Sequence, residues 1–166
     1  MNLIALVDRS WAIGLNGQQI IYIPEDLKRF KSLTKGKAVI LGRKTLYTFP
    51  NGQPLKERRN LILSKNKGLN IDGAEVFKSI EELMANAPKE CFVIGGETVY
   101  KEMLKFCDKA YITYLDAEFE ADSFLTDLDK EADWKILNES DTMEYKDIKY
   151  TFRLYERIQP FECLTD

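Results

Sequence analysis

Four short apolar runs, at residues 3–7, 38–41, 61–63 and 92–94, restrict the fold of this chain more than any other feature. Each is apolar at odd and even positions alike, which suits a strand covered on both faces. Helical patterns fall between them, at about 24–34, 44–48, 79–86 and 97–106. Ser79 before Glu81 and Glu82 suits a helix start, and Pro88 follows that helix's end. Strands alternating with helices predict βαβ units and a mostly parallel sheet. The last third changes character. Runs at 110–115, 134–138 and 150–157 read as strands without long helices between them, hence as an antiparallel edge. The expectation is a single-domain α/β fold with a mostly parallel central sheet of about eight strands, an antiparallel C-terminal edge and about four flanking helices. It occupies residues 1–158, and 159–166 is expected to be a disordered tail.

A chain of 166 residues can bury one substantial core. Its net charge of −3 argues against general binding of nucleic acid or anionic membranes. No run is long enough to span a bilayer, and the N-terminus does not resemble a secretion signal. The three cysteines, Cys91, Cys107 and Cys163, form no CxxC pair, and histidine is absent. No metal site is therefore expected, and histidine acid–base chemistry is excluded. Cys91 reads as core and Cys163 as exposed in the tail. Reduced thiols fit a cytoplasmic protein, expected to be a monomer.

One helix start carries an unusual acid. In Ile23-Pro24-Glu25-Asp26-Leu27-Lys28-Arg29-Phe30-Lys31, proline suits the first helical turn and acids favour the positive end of the dipole. Helical spacing puts Ile23, Asp26, Leu27, Phe30 and Leu33 on one side, while Glu25, Lys28, Arg29 and Lys31 face water. A carboxylate on a buried stripe must find a partner or become easier to protonate, which makes Asp26 a candidate to hold a ligand and manage its proton. The plainer reading is that Asp26 only charges the helix start.

Three segments at presumed strand ends suit a phosphate-rich ligand: Gly42-Arg43-Lys44-Thr45, Ser64-Lys65, and Ile94-Gly95-Gly96-Glu97-Thr98-Val99-Tyr100. Glycine admits close approach of a pyrophosphate, though Gly95-Gly96 does not match GxGxxG. Each segment alone reads as an ordinary turn or solvated basic pair. Together they gather at the carboxyl edge of the sheet, where open α/β folds bind ligands. The turn-rich segment at 14–19 reads as a connection or a lid beside such a site.

With these segments in view, the chain resembles bacterial chromosomal dihydrofolate reductases. The stretches carrying the resemblance include Leu3-Ile4-Ala5, Trp11-Ala12-Ile13-Gly14, the Asp26 helix, Gly42-Arg43-Lys44-Thr45, Pro54-Leu55-Lys56-Glu57-Arg58-Arg59-Asn60, Leu63-Ser64, Ile94-Gly95-Gly96 and Ile112-Thr113-Tyr114-Leu115-Asp116-Ala117. They follow the family's order. The resemblance implies reduction of 7,8-dihydrofolate to tetrahydrofolate by NADPH, with antifolates as inhibitors. Asp26 would grip the pterin's 2-amino group and adjacent ring nitrogen, steadied by Thr113, whose plainer reading is strand propensity. Leu27, Phe30, Phe49 and Leu55 would wall the rings, though by pattern alone they read as core. Arg58 would hold the glutamate carboxylate, but nothing local separates it from Arg59. Ile4, Ala5 and Ile94 would border the pterin. Leu6, Ile13 and Gly14 would meet the nicotinamide, with Tyr100 between the two rings. Gly42, Arg43, Lys44, Thr45, Leu63, Ser64, Lys65 and Lys78 would take the adenosine and phosphates. Gly95, Gly96, Glu97, Thr98 and Val99 would form the pyrophosphate turn.

The chain also departs from the family. Ile20-Ile21 stands where many relatives carry Pro-Trp, Leu6 where alanine is frequent, and Asp122-Ser123-Phe124-Leu125 lacks a Phe-Pro. A reductase of a ribosyl-pyrimidine and a non-catalytic nucleotide-binding module are the alternative readings.

Overall fold

Parallel strands with apolar residues on both faces need helices above and below them, and the computed structural model has that arrangement. It describes residues 1–66 and 68–158, so the expected tail and Cys163 lie outside the described residues. The elements run β1 (Asn2–Val7), β2 (Ala12–Leu15), β3 (Gln18–Gln19), α1 (Pro24–Thr34), β4 (Ala38–Gly42), α2 (Arg43–Leu46), β5 (Arg59–Leu63), β6 (Ala74–Phe77), α3 (Ile80–Asn86), β7 (Cys91–Gly95), α4 (Glu97–Met103), β8 (Lys109–Leu115), β9 (Ser123–Phe124), β10 (Trp134–Glu139), β11 (Met143–Tyr145) and β12 (Ile148–Arg157). The main sheet has the order β10-β12-β8-β1-β7-β4-β5-β6, with β11 paired to β12. Strands β8, β1, β7, β4, β5 and β6 are parallel neighbours. The late strands β12, β10 and β11 add the antiparallel edge.

Three apolar clusters hold the layers together. One centres on Leu3, Ile40, Leu61, Val93 and Ile112. The second packs Phe30 and Leu33 of α1 against Ile4, Val39, Leu41, Phe92 and Tyr111. The third joins Ile23, Leu6, Leu115 and Tyr150. Cys91 and Cys107 are free and buried, and burial pushes their thiols up to about 11 and about 12.

The segment at 14–19 is more regular than an open turn-rich connection. Leu15 pairs with Gln18 across Asn16 and Gly17, both at positive φ, as in a two-residue hairpin turn. Strand β2 also pairs with β9, and Asp122 ties the hairpin down by donating its N–H to the Gly14 carbonyl (3.0 Å) and accepting the Asn16 N–H (3.0 Å). Gly14 has no room for a side chain, since a Cβ there would lie 2.9 Å from both Gln18 O and Ser123 Oγ. The helix expected at 97–106 is α4 followed by one 3₁₀ turn, Leu104–Phe106. The helix expected at 44–48 is the single turn α2.

Candidate active site

Helix α1 starts where Ile23, in extended conformation, feeds Pro24 into the first turn. This entry buries Ile23 completely and carries Asp26 down toward β8. Thr113 of β8 is 2% exposed and donates its hydroxyl to Asp26 Oδ1 at 2.5 Å. Burial raises the Asp26 carboxyl above its ordinary value, while the Thr113 hydroxyl and the Arg29 charge pull it back down. One carboxylate oxygen is thus fixed by a neutral donor. A planar ligand edge carrying two N–H groups fits such a carboxylate.

The surrounding strands place the other predicted pterin neighbours. Register pairs Ile4 with Tyr111, Ala5 with Ile112 and Leu6 with Thr113, so Ile4 and Leu6 share the face that holds Thr113. Tyr100 of α4 lies with its hydroxyl 2.7 Å from the Ile4 carbonyl and 2.8 Å from the Ile94 carbonyl, bridging β1 and β7. Burial and the Asp26 charge push the Tyr100 phenol far up, so it stays neutral. Phe30, Phe49, Leu55 and Ile94 sit in one partly buried group around Ile4.

Two residues of α1 depart from the expected stripe. Leu27 is 47% exposed rather than buried. Arg29, expected in water, tucks its guanidinium against the rings of Phe152 (4.4 Å to the centroid) and Tyr111 (5.6 Å). The helix is therefore rolled so that Ile23 and Phe30 face inward, Leu27 rides the outer edge, and Arg29 closes the side toward β12. A residue three positions after Asp26 is its neighbour on a helix, which is the signal that would have exposed this second charge in the site.

The structure separates Arg58 from Arg59. Arg59 grips Glu75 with two bonds, Nε to Oε2 at 2.6 Å and Nη2 to Oε1 at 2.8 Å. Arg58 is held by Thr34 Oγ1 (3.1 Å, from Nε) and the Lys56 carbonyl (2.9 Å, from Nη1), and it lies over the Phe30 ring. Thr34 is buried and donates in turn to the Phe30 carbonyl. Among the described residues Arg58 is thus oriented without an ion pair, and its Nη2 can meet a ligand carboxylate.

The proposed phosphate segments meet at one sheet edge. Gly42 ends β4 beside Leu63 of β5, Leu41 pairs with Gly95 of β7, and Leu63 pairs with Phe77 of β6. Ser64, Lys65 and Lys78 follow those strand ends, and Ser64 N–H donates to the Phe77 carbonyl. A Cβ on Gly96 would lie 3.1 Å from Thr45 Oγ1, and one on Gly42 would lie 3.3 Å from Val99 Cγ2. The two glycine turns and the starts of α2 and α4 therefore pack closely, leaving backbone open where side chains would otherwise stand. The Gly95–Gly96 peptide is cis. Among the described residues, Arg43, Lys44, Lys65 and Lys78 make no ion pair, whereas Lys37, Arg59, Arg153 and Arg157 do. Because α2 is one turn long, this edge relies on cations and backbone N–H groups more than on a helix dipole. Glu97 and Thr98 open α4, while Ile13 and Gly14 lie on β2, which pairs with β3 and β9.

A family model described as dihydrofolate reductase matches residues 1–157. The chain belongs to the dihydrofolate reductase family. It is 32% identical over 161 residues to the dihydrofolate reductase of Bacillus subtilis (strain 168), covering 95% of this chain and 94% of that one. It is 34% identical over 163 residues to that of Staphylococcus haemolyticus, covering 96% of each. A solved dihydrofolate reductase from Enterococcus faecalis, complexed with NADP(H) and RAB-propyl, superposes with a TM-score of 0.85 at 29% identity, over 95% of this chain and 96% of that one.

Proposed function

We propose that this dihydrofolate reductase works through the Asp26 carboxylate. The reaction is NADPH + H⁺ + 7,8-dihydrofolate → NADP⁺ + tetrahydrofolate, with a C–H bond formed at C6 and an N–H bond at N5. NADPH supplies the hydride. Asp26, with one oxygen held by Thr113, receives the 2-amino group and the neighbouring ring N–H of the pterin and so orients C6. Its negative charge raises the basicity of N5 and favours the proton arriving there. Ile4, Ala5, Leu27, Phe30, Phe49, Leu55 and Ile94 enclose the rings, and Arg58 takes the glutamate carboxylate. Leu6, Ile13, Gly14 and Tyr100 border the nicotinamide. Gly42, Arg43, Lys44, Thr45, Leu63, Ser64, Lys65, Lys78 and the turn from Gly95 to Val99 hold the rest of the dinucleotide. Cations at these strand ends that make no ion pair among the described residues, together with Ser64, favour the extra 2′-phosphate of NADPH.

The observation that carries this reading is the single carboxylate bonded to a buried hydroxyl of the same sheet whose strand ends carry the glycine turns and the cations. The test is NADPH oxidation with dihydrofolate by wild type and Asp26→Asn at neutral pH. Loss of roughly 10²–10⁴-fold in turnover is expected, and unchanged turnover would remove Asp26 from the chemistry. We place the working protein in the cytoplasm as a monomer, in keeping with its free buried thiols. No helix among the described residues is long and apolar enough to cross a membrane.

A further inference from the structure

Arg29 is an anomaly in the interior. Its Nη1 is fully buried and has no hydrogen-bond partner, and among the described residues Arg29 makes no ion pair. Arg153 and Arg157, also largely buried, are well satisfied by contrast. Arg153 bonds Glu139, Asp129 and Tyr155, and Arg157 bonds Asp133 and the carbonyls of Leu104 and Cys107. A buried guanidinium nitrogen without a partner is destabilising, and a hydrophobic residue over Phe152 and Tyr111 would pack without that penalty. What it has instead is a fixed place. Two aromatic rings hold it three residues along the helix from Asp26, near enough that each charge favours the other's ionised form.

We propose that Arg29 is a positioning residue for the Asp26 carboxylate: stacked on Phe152 and Tyr111, it keeps that carboxylate ionised without occupying the oxygen that the pterin needs. This rests on the role given to Asp26 above. A direct ion pair would compete with the ligand for the carboxylate, whereas a cation held nearby biases the charge and leaves both oxygens to Thr113 and the ligand. The other groups facing Asp26 do not supply this. Thr113 on β8 is a neutral donor. Tyr100 on α4 and Tyr150 on β12 are phenols pushed up, hence uncharged. Tyr111 lies against Arg29 itself. Glu25 on α1 is exposed and paired with Lys28 at 3.1 Å. Arg29 is thus the cation that acts on Asp26.

The experiment uses the full chain with NADPH. Hydride transfer is followed by stopped-flow against pH for wild type, Arg29→Met and Arg29→Lys, together with a ¹³C-carboxyl NMR titration of Asp26 in each free enzyme. In Arg29→Met the descending limb of the rate should move to higher pH, making the rate at about pH 9 roughly 3- to 10-fold above wild type. The Asp26 carboxyl should titrate at higher pH in the same variant, and Arg29→Lys should restore both toward wild type. A limb and a titration that stay in place, or move down, in Arg29→Met would overturn the proposal. If Arg29→Met does not fold, a displaced Asp26 titration in Arg29→Gln supports it and an undisplaced one overturns it. Inactive wild type would instead refute the proposed function, while the NMR titration would still decide the part about Arg29.

Discussion

Replacing Arg58 by leucine isolates one end of the substrate. Thr34 Oγ1 and the Lys56 carbonyl already fix the guanidinium, so little side-chain entropy remains to be lost on binding. What the variant removes is at least one charge-assisted hydrogen bond to a carboxylate from a half-buried arginine, worth about 1.5–3 kcal/mol. At 1.4 kcal/mol per decade this is a rise of about 10- to 100-fold in KM for dihydrofolate. The assay compares dihydrofolate with dihydropteroate, which lacks the glutamate, in wild type, Arg58→Leu and Arg59→Leu. The effect should vanish on dihydropteroate, because the lost contact has no partner there. Arg59→Leu should change KM less than about twofold, since Arg59 is exposed and engaged by Glu75, and surface pairs contribute little. A large effect of Arg59→Leu, or an equal loss on both substrates in Arg58→Leu, would refute the assignment.

Three other outcomes are expected. Lys65→Ala should lower the preference for NADPH over NADH by about tenfold, measured as the ratio of kcat/KM values, because one charge-assisted phosphate contact is removed. Asp8 is 0% exposed and accepts the N–H groups of Ser10, Ala12 and Phe119 at 2.8, 3.0 and 2.8 Å, so Asp8→Ala should destabilise by about 3–5 kcal/mol in urea titration, with Asp8→Asn between it and wild type. The raised Asp26 carboxyl means that the folded state binds the proton more tightly than the unfolded state; stability is therefore lost as pH rises through the window from the ordinary value of 3.8 to the folded one. Asp26→Asn should raise Tm by about 2–4 °C at neutral pH, with the gain disappearing toward about pH 4, as read by calorimetry.

Much of the sheet was legible because its strands are buried on both faces. The runs at 3–7, 38–41, 61–63 and 92–94 each fall inside β1, β4, β5 and β7. Elements that escaped the reading lack that signature. Strand β6, Ala74-Glu75-Val76-Phe77, is an edge of four residues with an acid facing out. Strand β11 turns into β12 through Lys146 and Asp147, both at positive φ, where glycine or asparagine would have announced the hairpin. Strands β2 and β3 did carry such a mark in Asn16-Gly17, but their pairing with Ser123–Phe124 is set by tertiary contacts more than a hundred residues apart in the chain.

The site divides along the same physical line. Asp26 was legible because a carboxylate on an apolar stripe breaks the helical pattern, and the strand-end cations because topology gathers them at one edge. Thr113 was legible only through the resemblance, since by pattern alone threonine in a strand is ordinary until its hydroxyl is seen to donate to a carboxylate 87 residues away. Arg58 and Arg59 are equivalent in sequence, and only the partner of the second, Glu75, tells them apart. Arg29 was misplaced for a reason general to long cations. Amphipathic spacing assigns a side chain by its Cβ direction, yet the guanidinium ends several bonds away and can lie flat on aromatic rings at the edge of a buried stripe. A basic residue at helical spacing from an inward acid should therefore be read with that acid before it is assigned to solvent.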